Sequence, residues 1–311
     1  MDISSREPTR SRGTRATLLW AIPAAVIVLA VVVLVARWFR ELPSTQSFLA
    51  TYPGDSALPS WAPVGFPAWL EWQHFLSALF LLLIVRTGLQ MRYGGRPRAF
   101  WLRNNDGRIR TANPPVRIGI PLWLHLSIDA LWVLNGVVFY VLIFATGQWV
   151  RIVPTRWDVF PNAISAGIQY LSLDWPDAHG WTNYNGLQLL TYFITVFLAA
   201  PLAILTGLRL APGFAVRLRG LDRVFPLRVA KTIHWGTMLW FVVFTIVHVT
   251  LVLATGALRN LNHMYAGRDD ESWAGFAVFA ASVVVMVVVW VLARPAILNR
   301  LAALGGTVRQ R

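Results

Sequence analysis

The sequence predicts an all-α integral membrane protein with six transmembrane helices: a four-helix bundle (spans two to five) plus one N-terminal and one C-terminal helix. Three observations carry that prediction. The 311 residues are 56% hydrophobic with a mean hydropathy of +0.53, against roughly 45–50% apolar content in soluble domains. Apolar runs at about 17–36, 72–91, 119–147, 186–208, 231–256 and 273–293 each approach the roughly 20 helical residues that cross a hydrocarbon core. Basic residues alternate from loop to loop. With the N-terminus inside, the inner segments hold 21 Lys or Arg and the outer loops hold 6, with Arg86 inside the membrane. The positive-inside rule is then met at every loop, with both termini cytoplasmic.

Composition excludes several classes. A net charge of +14 suggests nucleic acid at first sight, but the basic residues follow membrane sidedness. The chain has no cysteine. That excludes disulfides, thiolate-held iron–sulfur clusters and covalently attached c-type haem.

Residues 1–16 form a basic tail. The first span has no titratable residue and is longer than a signal-peptide core, so it reads as an uncleaved anchor. A loop over 37–71 contains five prolines. His74 opens the second span. The basic loop 92–119 contains Asn105-Asp106-Gly107, which predicts a hairpin within WLRNNDGRIRT. His125 lies near the start of the third span. The loop 148–185 includes an amphipathic interfacial segment around PNAISAGIQYLSL, flanked by Trp157, Trp175 and Trp181. Pro201 predicts a kink in the fourth span. A basic loop, the fifth span, a short loop 257–272, the sixth span and a basic tail complete the chain. No internal repeat is evident. The expected division is 1–67 (tail, anchor and outer loop), 68–256 (bundle core) and 257–311 (outer loop, sixth helix and cytoplasmic tail).

The chemistry centres on the fifth span, KTIHWGTMLWFVVFTIVHVTLVLATG. His234 and His248 are fourteen residues apart, which places them on one helix face about 21 Å apart along the axis. Imidazole is a common axial ligand of haem iron. The topology puts His74 and His248 near the outer surface and His125 and His234 near the inner surface. A lone intramembrane histidine reads more readily as an isolated polar residue. Four at two matched depths favour two bis-histidine haems.

Gly88, fourteen residues after His74, and Gly136, eleven after His125, fall where each helix passes the other haem, and also suit ordinary helix packing. Arg86 suits a haem propionate or snorkelling to the inner surface. Asp129 shares the face of His125 and suits orienting an imidazole, relaying a proton or pairing with Arg86. Asn135 and Gln188 are candidate polar contacts. His179 and His263 are expected to be solvated in outer loops.

The phrases EWQHFLSALF, NPPVRIGIPLWLHLSIDALW and KTIHWGTMLW resemble the bacterial di-haem b-type cytochrome subunits of membrane oxidoreductases: the γ subunit of formate dehydrogenase, the cytochrome b of nickel–iron hydrogenase and the thiosulfate reductase cytochrome. The resemblance covers roughly 68–256. It implies two haem b groups, with His74, His125, His234 and His248 matching the ligand positions. It further implies a bacterial inner-membrane subunit that carries electrons between a quinone and a redox partner, of molybdopterin or metal-cluster type, with any cluster on that partner. The extra N-terminal span reverses the core relative to the formate dehydrogenase type. Two other functions are compatible with the residues: a self-contained quinone reductase using a small soluble donor, and a transporter relaying protons through the histidines and Asp129.

Overall fold

In the computed structural model the described residues are 12–106, 110–176, 180–213 and 219–311. Among them six helices are long and apolar enough to cross a membrane: Trp20–Arg40, Ala68–Tyr93, Ile120–Ala145, Gly186–Leu210, Leu227–Ala254 and Ala274–Leu292, spans one to six in order. Their outward faces carry exposed Val, Leu and Ile side chains, such as Leu29, Val141, Ile246 and Val284. A helix satisfies its own backbone polar groups, so a bilayer can solvate these faces. The chain is a mostly helical membrane protein with a small amount of strand.

The chain divides into two compact units. The first comprises Met1–Ser56, Arg156–Asp177 and Asn185–Gln188. In it, span one packs against the helix Val159–Leu171. Arg37 Nε donates to the Ser172 carbonyl at 3.0 Å, and Arg40 pairs with Asp174. The helix Val159–Leu171 is the expected amphipathic segment. It buries Val159, Ala163 and Ala166 and turns Phe160, Ile164 and Leu171 outward. Gly54, at a φ of +123° that side chains with a Cβ avoid, accepts the Gly186 N–H at 2.8 Å. Gln188 accepts the Asn185 N–H at 3.2 Å, a local cap at the start of span four rather than a contact deep in the bundle.

The second unit comprises Ala57–Thr155, Ala178–Tyr184 and Leu189–Arg311. Spans two and three pack along their lengths, as do Ala200–Leu210 of span four and span five. Span six packs against the helix Ala257–Tyr265 and against span two. The expected irregularity at Pro201 takes the form of a π turn over Ile194–Ala199, just before the proline. Proline has no N–H for the carbonyl four residues earlier, and a wider turn accommodates that gap. Within the turn, the Val196 carbonyl receives the Tyr140 hydroxyl at 2.6 Å.

Among the described residues, three strands form one antiparallel sheet: β1 (Ala99–Arg103), β2 (Ile118–Gly119) and β3 (Gly306–Gln310), in the order β2-β1-β3. Trp101 pairs with Ile118 on one side and Val308 on the other. Residues 107–109 of the expected hairpin WLRNNDGRIRT lie outside the described residues; beside them, Asn105 Oδ1 accepts the Thr111 N–H at 2.9 Å. One expectation is corrected. The segment expected as a basic C-terminal tail is instead folded. Its helix Pro295–Ala303 buries Leu298 and Ala302 against Ala99, Ile120 and Leu124. Apolar burial at those positions outweighs the basic character of the segment.

Candidate functional site

Four intramembrane histidines meet in two pairs across the second unit. The rings of His74 (span two) and His248 (span five) have centroids 6.2 Å apart, tilted by 57°. Those of His125 (span three) and His234 (span five) are 6.3 Å apart, tilted by 72°. Two imidazoles bound to opposite sides of one metal ion, each at about 2.0–2.1 Å, have centroids about 6–6.5 Å apart. Each pair therefore has the separation that two axial ligands require. Among the described residues, no group of three or more His, Cys, Asp or Glu could hold a bare ion. A pair of imidazole donors would suit a metal that brings its other ligands with it, as iron does in haem.

The surroundings of the two pairs differ. At His125, Thr87 Oγ1 lies 2.8 Å from Nδ1. At His234, Thr206 Oγ1 lies 2.9 Å from Nδ1. At the other pair, Tyr265 meets the His74 ring edge-on at 5.9 Å, Phe244 stacks on His248 at 5.4 Å, and Tyr192 meets His248 at 6.1 Å. His74 Nδ1 is buried with no hydrogen-bond partner.

The remaining expected residues are placed as follows. Asp129 Oδ2 is 3.6 Å from His125 Nε2, too far for a hydrogen bond; the group that orients His125 is Thr87. Among the described residues, Arg86 and Asp129 form no ion pair. Arg86 turns to span six instead. It donates to the Trp290 and Ala293 carbonyls and lies 4.5 Å over the Trp290 ring. The last carbonyls of a helix lack intrahelical partners and favour a cation. A Cβ at Gly88 would lie 3.8 Å from His125 Cε1, while one at Gly136 would meet nothing within 4 Å. Asn135 donates to Ser77 Oγ at 3.0 Å and ties span three to span two.

His179 lies outside the described residues. His263 differs from expectation: it is 4% exposed. Its Nε2 shares a 2.7 Å hydrogen bond with Asp269, and it stacks on Phe66 at 6.1 Å. The His263 hydrogen bond, aided by Arg259, holds the Asp269 carboxyl below its ordinary value. The loop expected at 257–272 contains the helix Ala257–Tyr265. Asn262 pins this helix. Its amide donates to the Asp270 and Ser272 carbonyls at 2.9 and 2.8 Å, and its Oδ1 accepts the Gly275 N–H at 2.5 Å.

Residues that sequence reasoning missed include Thr87, Thr206, Gly207, Tyr192, Phe244 and Tyr265. The one available signal was the tripeptide Thr-Gly-Leu, which occurs at 87–89 and again at 206–208.

A membrane-embedded helical bundle with four imidazoles, His125 buried and His74, His234 and His248 half-buried, paired at two depths is the arrangement of membrane b-type cytochromes. The family model described as prokaryotic cytochrome b561 matches residues 65–267. The chain belongs to that family, whose members are membrane haem b proteins of electron transfer. A search of the curated proteins and a search of the solved structures each return no match.

Proposed function

We propose that this chain holds two haem b groups, one between His74 and His248 and one between His125 and His234. On this reading it passes electrons between a membrane quinone and a redox partner protein at the membrane surface. The observation that carries the reading is the repetition of one ring separation, 6.2 and 6.3 Å, at two positions fourteen residues apart on span five. Haem b, when bound, supplies a one-electron centre. Each histidine pair would hold one haem through two imidazoles, and a haem held in this way would supply electron transfer rather than oxygen chemistry. Gly88 and Gly136 keep the helix surface low beside the macrocycles, and the apolar helices exclude water. Asp129, beside His125, belongs to the surroundings of one haem, whereas Arg86 acts at span six.

The haem core occupies 68–256, with spans one and six outside it. The loop charges support both termini on the cytoplasmic side of a bacterial inner membrane, with His125 and His234 inner and His74 and His248 outer. A partner of molybdopterin or metal-cluster type is consistent with a chain that lacks cysteine.

The purified protein should contain two haem b groups per chain by pyridine haemochrome assay and should be oxidised or reduced by a water-soluble quinone analogue. A haem-replete preparation that binds one haem or none would defeat the two-haem reading. Two haems that exchange no electrons with quinone would defeat the quinone assignment alone.

A further inference from the structure

One short pattern recurs beside the ligands of a single histidine pair. Thr87-Gly88-Leu89 on span two faces His125, and Thr206-Gly207-Leu208 on span four faces His234. Both threonines are 0% exposed. Each hydroxyl lies within donating distance of its own helix: Thr87 Oγ1 is 2.8 Å from the Leu83 carbonyl, and Thr206 Oγ1 is 2.6 Å from the Leu202 carbonyl. A hydroxyl has a single hydrogen. With that hydrogen donated along the helix, the oxygen accepts from Nδ1–H of the histidine, which also meets a backbone carbonyl, Ile84 for His125 and Ala203 for His234. That fixes the tautomer and leaves the Nε2 lone pair on the far side of the ring. The following glycine lets the ring sit close: a Cβ at Gly88 or Gly207 would lie 3.8 or 3.5 Å from the Cε1 of the adjacent histidine. The His74 and His248 pair lacks this arrangement at His74, whose buried Nδ1 has no partner.

We infer that Thr87 and Thr206 are positioning residues that lower the reduction potential of the centre held by His125 and His234, and of that centre only. This rests on the reading of the four histidines as axial ligands. An acceptor on Nδ1–H raises the basicity of the ligating nitrogen. A more basic ligand stabilises oxidised iron relative to reduced iron, so removing the acceptor raises the potential.

The test is a potentiometric titration, followed by haem absorbance, of the full-length protein carrying Thr87→Val or Thr206→Val. Valine keeps the shape and removes the oxygen. With both haems retained, one midpoint should rise by roughly a three- to tenfold change in reduction equilibrium, tenfold being about 59 mV for one electron. The other midpoint should stay in place, and Thr87→Ser or Thr206→Ser should restore the first. Unchanged midpoints, or both moving together, overturn the inference. If the valine variants lose haem, serine decides: wild-type midpoints in the serine variants uphold the role of the oxygen, and haem loss or shifted midpoints there overturn it. His125→Ala separates the two levels. If that variant retains two haems, the ligand reading itself fails. If it loses one while Thr87→Val shifts nothing, only the threonine inference fails.

Discussion

The two ends of the bundle hold their histidines by different means. At His125 and His234, hydroxyl oxygens on neighbouring helices lie at hydrogen-bond distance from Nδ1. At His74 and His248, the contacts are rings: Tyr265, Tyr192 and Phe244. A hydrogen bond fixes orientation and electron donation together, whereas aromatic packing fixes mainly position. One helix can therefore carry two sites of the same composition and different chemical character, because the difference resides on the helices around it.

The largest expected effect breaks the comparison outright. His125→Ala or His234→Ala should reduce haem content from two per chain to about one, and the remaining spectrum should match the one lost in His74→Ala or His248→Ala. If His74→Ala and His234→Ala instead remove the same haem, the pairing is wrong. Next is clearance at one end. Gly207→Leu should displace the His234 ring and lower occupancy of that site several-fold in haem titrations, while Gly207→Ala, at ordinary contact distance, should bind nearly normally. Equal loss from both sites would show a global folding defect.

A smaller effect should fall at the ring-lined end. Asn262→Ala strands the buried Gly275 N–H and removes the ties to Asp270 and Ser272, a cost of about 1–3 kcal/mol. Because the helix Ala257–Tyr265 carries Tyr265 against His74, thermal release should reach that haem first. The midpoint of the His125 and His234 centre should not move.

The smallest concerns pH. The Asp269 carboxyl is depressed by His263, so its stabilising effect is complete above its unfolded value, 3.8, and is lost as pH falls through its lower folded value. Asp269→Asn should flatten the acid limb of thermal stability slightly and leave haem content unchanged at pH 7. A large loss at pH 7 would contradict this.

Much of the membrane frame was legible because spans depend on local composition, and six apolar runs suffice. The histidine pairs were legible for the same reason: helical periodicity and charge sidedness are both local or additive. The threonines were not. Thr-Gly occurs at 87, 146, 206 and 255, and two of those four end helices with a positive-φ glycine, Gly147 and Gly256. The dipeptide alone does not distinguish a helix terminus from a hydroxyl aimed at an imidazole. His263 was misjudged as solvated because its burial depends on Phe66 and Trp181, from remote segments. The folded end of the chain was missed because its strand pairs only with distant residues.

That last pairing bears on how the protein is made. Strand β1 emerges at residue 99, yet its longer partner is translated about two hundred residues later. Through the insertion of spans three to six, one edge of β1 stays open, with its N–H and C=O groups available to any passing strand. The strand carries Arg103, and Arg96 and Arg98 precede it, charges of the kind that discourage such mispairing. The sheet can therefore be completed only after all six spans have been translated, because β3 follows them in the chain.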